Sequence, residues 1–171
     1  MTGVPYVAVV GSDDPSAGER ALTVALEVGR ALARRGAVVV CGGLGGVMEA
    51  ACRGAREEGG STVGLLPGLD RREANAYVQV ALPTGLGEAR NALVVRAADA
   101  VIAVGGELGT LSEIALALKA GTPVVGVDTW ELSKSGRAVD AIDRADGAGD
   151  AVERALARAR RQTAGPSSPL A

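Results

Sequence analysis

The residues best suited to chemistry fall in one stretch, Val104-Gly105-Gly106-Glu107-Leu108-Gly109-Thr110-Leu111-Ser112-Glu113. The apolar run Ala100 to Ala103, with β-branched Val101 and Ile102, precedes it, and the Ala- and Leu-rich run Ile114 to Ala120 follows. That pattern predicts a strand ending in glycines where a helix begins. Gly105, Gly106 and Gly109 carry no Cβ to hold a ligand away, and the first N–H groups of the helix point outward at the positive end of its dipole. Such a junction binds anions, phosphate above all. It is not a P-loop, because Thr110 rather than Lys follows Gly109. Glu113, one turn into the helix, adds a carboxylate beside the expected phosphate, an arrangement suited to an electron-poor centre between the two.

Two further turns have the same grammar. Tyr6 to Val10 is an apolar run ending at Gly11-Ser12, and Ser16 to Arg35 then shows helical spacing, with Ser16 as a possible cap and Gly36 as the stop. Ala37 to Cys41 reads as a strand buried on both faces and ends in Gly42-Gly43-Leu44-Gly45-Gly46, before a helix from about Val47 to Glu58. Gly11, Ser12, Gly42 and Gly43 therefore join Gly105, Gly106, Gly109 and Thr110 as candidate phosphate-binding residues. Thr62 to Leu66 is a third strand and Tyr77 to Leu82 a weaker fourth. A helix over Glu88 to Ala98 then leads into the central unit, and a strand at Val124 to Val127 follows. Beyond Asp128 the signal fades to a short apolar element at Val139 to Ile142 and a last helix, Ala151 to Arg161, capped by Asp150.

Alternating strands and helices predict an α/β, Rossmann-like three-layer αβα sandwich with a mostly parallel sheet of order 3-2-1-4-5-6. The ligand crevice belongs where that order reverses, beyond the strand ends between the first strand and the fourth or fifth. Residues 1–162 are expected to form one domain and residues 163–171, with Pro166, Ser167, Ser168 and Pro169, a disordered tail.

Composition narrows the chemistry. A chain of 171 residues with 47% apolar content supports one core, and 25 glycines without a three-residue period mean many tight turns. A net charge of −2 argues against nucleic acid as a partner, and no apolar run is long enough to span a membrane. Cys41 and Cys52 do not form a Cys-x-x-Cys motif, so reduced thiols in a cytoplasmic protein are expected. The chain has no His, which removes Ser-His and Cys-His nucleophile pairs and most zinc sites, so no metal is expected. Carboxylates, guanidinium groups, hydroxyls and backbone remain.

The segments Gly87-Glu88-Ala89-Arg90-Asn91, Arg96-Ala97-Ala98-Asp99-Ala100 and Gly105 to Glu113 resemble the Lonely Guy family, once labelled lysine decarboxylases, which includes cytokinin-activating phosphoribohydrolases. That family's signature is Pro-Gly-Gly-x-Gly-Thr-x-x-Glu with an upstream Arg, and Arg90 and Glu113 stand at the matching separation of 23 positions. The turn Gly42 to Met48 resembles the family's Gly-Gly-Gly-x-x-Gly-Leu-Met-Gly. Gly105 replaces the motif's Pro, Glu107 its second Gly and Asn91 a Lys, choices similar to a short bacterial branch that also resembles molybdenum-cofactor carrier proteins.

The resemblance implies a homodimer or homotetramer binding a phosphate-containing small molecule, either a nucleoside monophosphate or a pterin. In the first case Arg90 and Glu113 are the catalytic pair of a phosphoribohydrolase releasing free base and ribose 5-phosphate, with no cofactor required. In the second the protein carries the molybdenum cofactor, a pterin phosphate, without breaking a bond. Lysine decarboxylation does not follow from the old label, since Lys119 and Lys134 are the only lysines and neither falls in a glycine turn.

Overall fold

The structure is a computed structural model that describes residues 3–14, 16 and 18–163. Strands β1 (Tyr6–Gly11), β2 (Val38–Cys41) and β3 (Thr62–Leu66) alternate with helices α1 (Glu19–Arg34) and α2 (Gly46–Glu57). Strand β4 (Val80–Pro83), helix α3 (Asn91–Arg96), strand β5 (Ala100–Val104), helix α4 (Leu108–Ala120) and strand β6 (Val124–Val127) follow. Three short strands, β7 (Leu132–Lys134), β8 (Arg137–Val139) and β9 (Asp143–Arg144), precede helix α5 (Ala148–Thr163). The expected tail lies, from residue 164 on, outside the described residues. Among the described residues no helix is long and apolar enough to cross a membrane.

The main sheet runs β4-β3-β2-β1-β5-β6-β9, with every neighbouring pair parallel. Residues alternate across it. Val7 and Val9 enter the core shared with α1, α2 and α5, while Ala8 and Val10 enter the one shared with α3 and α4. This is the three-layer αβα sandwich, and burial on both faces explains the unbroken apolar runs of β1, β2, β5 and β6. On the first face α1 and α2 meet backbone to backbone. A Cβ added at Gly29 would lie 1.9 Å from the Ala51 carbonyl oxygen, and one at Gly54 would lie 2.0 Å from that of Leu26. Those two glycines set how close the helices come.

Several expectations need correction. The weak fourth strand does not sit beside β1; β4 pairs outside β3, with Val63 opposite Val80 and Leu65 opposite Leu82. The connection from β3 carries only a 3-10 turn at Arg71–Glu73, so the chain stays beside β3 without a helix to carry it across the sheet. The partner of β1 is β5, with Val9 opposite Ile102. Ser16 does not cap α1, because Gly18 (φ 101°) occupies the cap position and the Ser16 N–H donates to Asp14 Oδ1 at 2.7 Å. The helix expected from Glu88 divides into a 3-10 turn, Gly87–Arg90, and α3. The last helix begins at Ala148, ahead of Asp150.

The faint region after Asp128 contains the antiparallel hairpin β7–β8, turned by Ser135 (φ 53°) and Gly136 (φ 74°), and the edge strand β9. Two positive φ angles in a two-residue loop match the twist of the flanking strands. The sheet order reverses between β1 and β5, whose following helices lie on opposite faces, so a crevice opens past their carboxyl ends.

Candidate functional site

A cleft of about 1000 Å³ occupies that crevice. Six of the ten residues singled out from sequence line it: Gly11, Ser12, Arg90, Gly109, Thr110 and Glu113. Gly42, Gly43, Gly105 and Gly106 are not among its lining residues and act from behind the wall. Neither Lys119 nor Lys134 lines it.

The wall beside α4 is built by a tight glycine turn. Gly105 (φ 53°) and Gly106 (φ 99°) are left-handed, and a Cβ on Gly106 would fall 2.3 Å from Thr110 Oγ1. Glycine is therefore needed at Gly106 for both conformation and space. The Gly105 N–H donates to the Val127 carbonyl at 3.0 Å, and Thr129 Oγ1 donates to the Gly105 carbonyl at 2.5 Å. Trp130 Nε1 donates to the carbonyl of Glu107, the cap residue of α4, at 3.2 Å. Pinned this way, α4 presents its first N–H groups, which have no intrahelical acceptor, to the cleft at Gly109 and Thr110. A Cβ on Gly109 would meet nothing within 4 Å.

The turn between β2 and α2 is spent internally. The Val47 N–H at the start of α2 donates to the Ser12 carbonyl at 2.9 Å, and the Gly43 N–H donates to Cys41 Sγ at 3.3 Å. Asn75 spans the turn, its N–H donating to the Gly43 carbonyl at 2.9 Å and Nδ2 to the Leu44 carbonyl at 2.8 Å. Gly46 (φ 57°) accommodates the β1–α1 loop, and its Cβ would lie 2.3 Å from the Ser12 carbonyl oxygen. Gly42 serves as a shelf for Arg90, since a Cβ there would be 2.5 Å from Nη2.

On that shelf the Arg90 guanidinium faces Glu113. The side chains are 8% and 7% exposed, and Nη1 lies 3.6 Å from Glu113 Oε1, too long for a hydrogen bond. Arg90 Nη1 donates instead to Asn91 Oδ1 at 2.7 Å, and Nε has no hydrogen-bond partner among the described residues. Burial pushes the Glu113 carboxyl up to about 7, against the opposing pull of Arg90. Asn91 Nδ2 donates to Ser112 Oγ at 3.0 Å, and Ser112 Oγ to the Gly109 carbonyl at 2.7 Å, so the arginine is linked to the first turn of α4. A buried carboxyl of raised pKa, a buried guanidinium and the start of a helix thus share one wall.

Sequence reasoning did not identify Asn91, Ser112, Asn75, Thr129 or Trp130 as parts of this framework. Asn91 and Ser112 were visible inside the motifs as unexplained polar positions; nothing local marked the other three. Arg96 is exposed away from the cleft, and Asp99 ties the start of β1, where Oδ2 accepts the Tyr6 N–H at 2.8 Å. Cys41 and Cys52 are free, buried thiols with sulfurs 3.5 Å apart. Their mutual hydrogen bond lowers the pKa of Cys41 and, together with burial, raises that of Cys52.

The sequence profile of the SLOG cluster4 family matches residues 4–157. The chain belongs to the SLOG cluster4 family. A protein of Archaeoglobus fulgidus is 40% identical over 121 residues, which are 71% of this chain and 78% of that protein. Among solved structures, the molybdenum cofactor binding protein of Rippkaea orientalis is similar over 92% of this chain and 98% of its own, with TM-score 0.82 and 33% identity. The molybdenum cofactor carrier protein of Chlamydomonas reinhardtii is similar over 91% of this chain and 98% of its own, with TM-score 0.79 and 32% identity.

Proposed function

We propose that this SLOG protein binds and carries a phosphate-bearing pterin of the molybdenum-cofactor type without breaking a bond in it. The observation that carries the reading is the likeness to cofactor-binding and cofactor-carrier proteins along nearly the whole of both chains. The residues fit such a cargo. The α4 N–H groups at Gly109 and Thr110 and the Thr110 hydroxyl receive the phosphate, where an open approach at Gly109 lets it come close. Leu44, Met48, Pro67 and Leu108 line the cleft as apolar cover for a flat ring. The volume is within the usual range for small-ligand sites. When bound, the cofactor supplies a metal held by sulfur on the pterin side chain, and the protein's share is to hold the phosphate and shield the ring.

A second reading, cleavage of the N-glycosidic bond of a nucleoside 5′-monophosphate, is favoured by one observation. Glu113 titrates near neutral pH beside the buried Arg90, which suits general acid–base work on a sugar–base bond. One experiment separates the two. The chain is mixed with molybdenum cofactor released from a molybdoenzyme, passed through a desalting column, and assayed for molybdenum and for fluorescent pterin after oxidation. A parallel sample receives the common nucleoside 5′-monophosphates and is assayed for free base. Co-elution of stoichiometric pterin and metal with no free base is the expected result. Free base and ribose 5-phosphate without pterin retention would replace carriage by hydrolysis. Sedimentation of the same preparation tests the homodimer or homotetramer expected from the family resemblance.

A further inference from the structure

The phosphate turn alone gives little selectivity, because every phosphorylated metabolite offers the same group. Selectivity has to come from the rest of the wall, where Arg90 and Glu113 present unusual chemistry. Both are buried, yet they are not hydrogen-bonded to each other, the Nη1 to Oε1 separation being 3.6 Å. Arg90 Nε is buried without an acceptor among the described residues, and the Glu113 carboxylate meets the guanidinium only through that longer contact. Both residues line the cleft, and a charged pair whose contact is too long for a hydrogen bond keeps donor and acceptor capacity for a ligand.

The pair is also held in fixed register with the phosphate turn. Asn91 receives Arg90 Nη1 at 2.7 Å, and the Asn91–Ser112–Gly109 chain fastens that asparagine to the first turn of α4. The other charged residues lining the cleft are Asp13, Asp14, Glu88 and Glu107, all carboxylates. A ligand edge that donates hydrogen bonds is therefore welcomed along this wall.

We infer that Arg90 and Glu113 together read a 2-amino-4-oxopyrimidine edge, the hydrogen-bonding face shared by pterins and guanine. The ring carbonyl accepts from Arg90, and the ring N–H and exocyclic amine donate to the two oxygens of Glu113. Adenine reverses part of this pattern, and hypoxanthine lacks the amine. The inference rests on the phosphate-and-ring reading above and adds what the ring must display.

The test uses the full chain with GMP, IMP, AMP and inorganic phosphate as calorimetric probes, and chromatography to confirm that each nucleotide survives the titration. GMP is expected to bind about tenfold or more tightly than IMP, with AMP weaker still, since a lost hydrogen bond to a charged group is worth at least that. Glu113→Gln keeps the size but loses one acceptor, so the GMP-to-IMP ratio should fall to about twofold. Arg90→Lys keeps the charge without Nε, and should weaken GMP and IMP together while leaving their ratio as in the wild type. Equal binding of GMP and IMP to the wild-type chain overturns the inference, as does a ratio that persists in Glu113→Gln. If Glu113→Gln does not fold, the wild-type series and Arg90→Lys decide it. Failure of inorganic phosphate and all nucleotides to bind would instead remove the phosphate reading, so the two failures are distinguishable.

Discussion

Two junctions in this molecule are written in nearly the same way, a valine-rich strand running into glycines and then a helix, and they do opposite things. At β2–α2 the polar backbone is consumed by the protein itself: the Ser12 carbonyl takes the Val47 N–H, Cys41 Sγ takes the Gly43 N–H, and Asn75 covers the Gly43 and Leu44 carbonyls. At β5–α4 the carbonyls of Gly105 and Glu107 are pinned by Thr129 and Trp130, while Gly109 and Thr110 face the cleft. The difference arises from what packs over each helix start. Ser12 to Asp14 of the β1–α1 loop lie against Gly46 at the start of α2, and among the described residues nothing lies so close to Gly109 at the start of α4. A glycine-rich turn is thus a licence for close approach, and the neighbouring chain decides whether protein or ligand makes it.

Substitutions that break the comparison should have effects of very different size. Gly46→Ala places a methyl 2.3 Å from a backbone oxygen at a left-handed φ, and should cost about 3 kcal/mol or more of stability in chemical denaturation. Next comes the pH dependence of the open wall. Glu113 in the fold titrates near 7 against a reference of 4.5, so the fold favours its protonated form. Its stabilisation is fully present below about pH 4.5 and is lost as pH rises through about 7, amounting to about 3 kcal/mol. Denaturation curves across that window should show the decline in the wild type and lose this part of it in Glu113→Gln.

Smaller effects sharpen the contrast. Thr110→Val removes the hydroxyl but keeps the shape that packs on Gly106, and should lower affinity for a pterin phosphate by about tenfold in a retention assay with little change in melting. Smallest in stability is Gly109→Ala, whose new methyl meets nothing within 4 Å among the described residues beyond its chain neighbours and its own helix backbone. It should leave stability level or raise it by up to about 1 kcal/mol through helix propensity, yet weaken phosphate binding because the methyl stands in the ligand's approach. Loss of stability at Gly109 as large as at Gly46 would show that the two junctions are not different after all.

Much of the fold was legible because period and punctuation agree. The runs at Tyr6 to Val10, Ala37 to Cys41 and Val101 to Val104 are too apolar and too β-branched for anything but buried parallel strands, and each is followed by glycine. The position of β4 was not legible, because choosing between two edges of a sheet depends on the missing crossover helix and not on the strand's own residues. The hairpin β7–β8 was lost because its strands are three residues each and mostly exposed, which leaves no burial pattern to read. In the site, Arg90 and Glu113 stood out through spacing within a motif, whereas Asn75, Thr129 and Trp130 reach it from distant parts of the chain.

By itself the sequence determined the layered α/β architecture, the strand–glycine–helix turns and the absence of histidine chemistry, because these depend on residue type and on spacings of a few positions. Only the tertiary structure decided that one turn is sealed and the other open, and that Arg90 rests on Gly42 facing a buried Glu113. It also decided that the sheet reverses beside β5. Those outcomes depend on which segments, far apart in the chain, compete for the same backbone N–H groups and the same volume, and neither is written in any single stretch of residues.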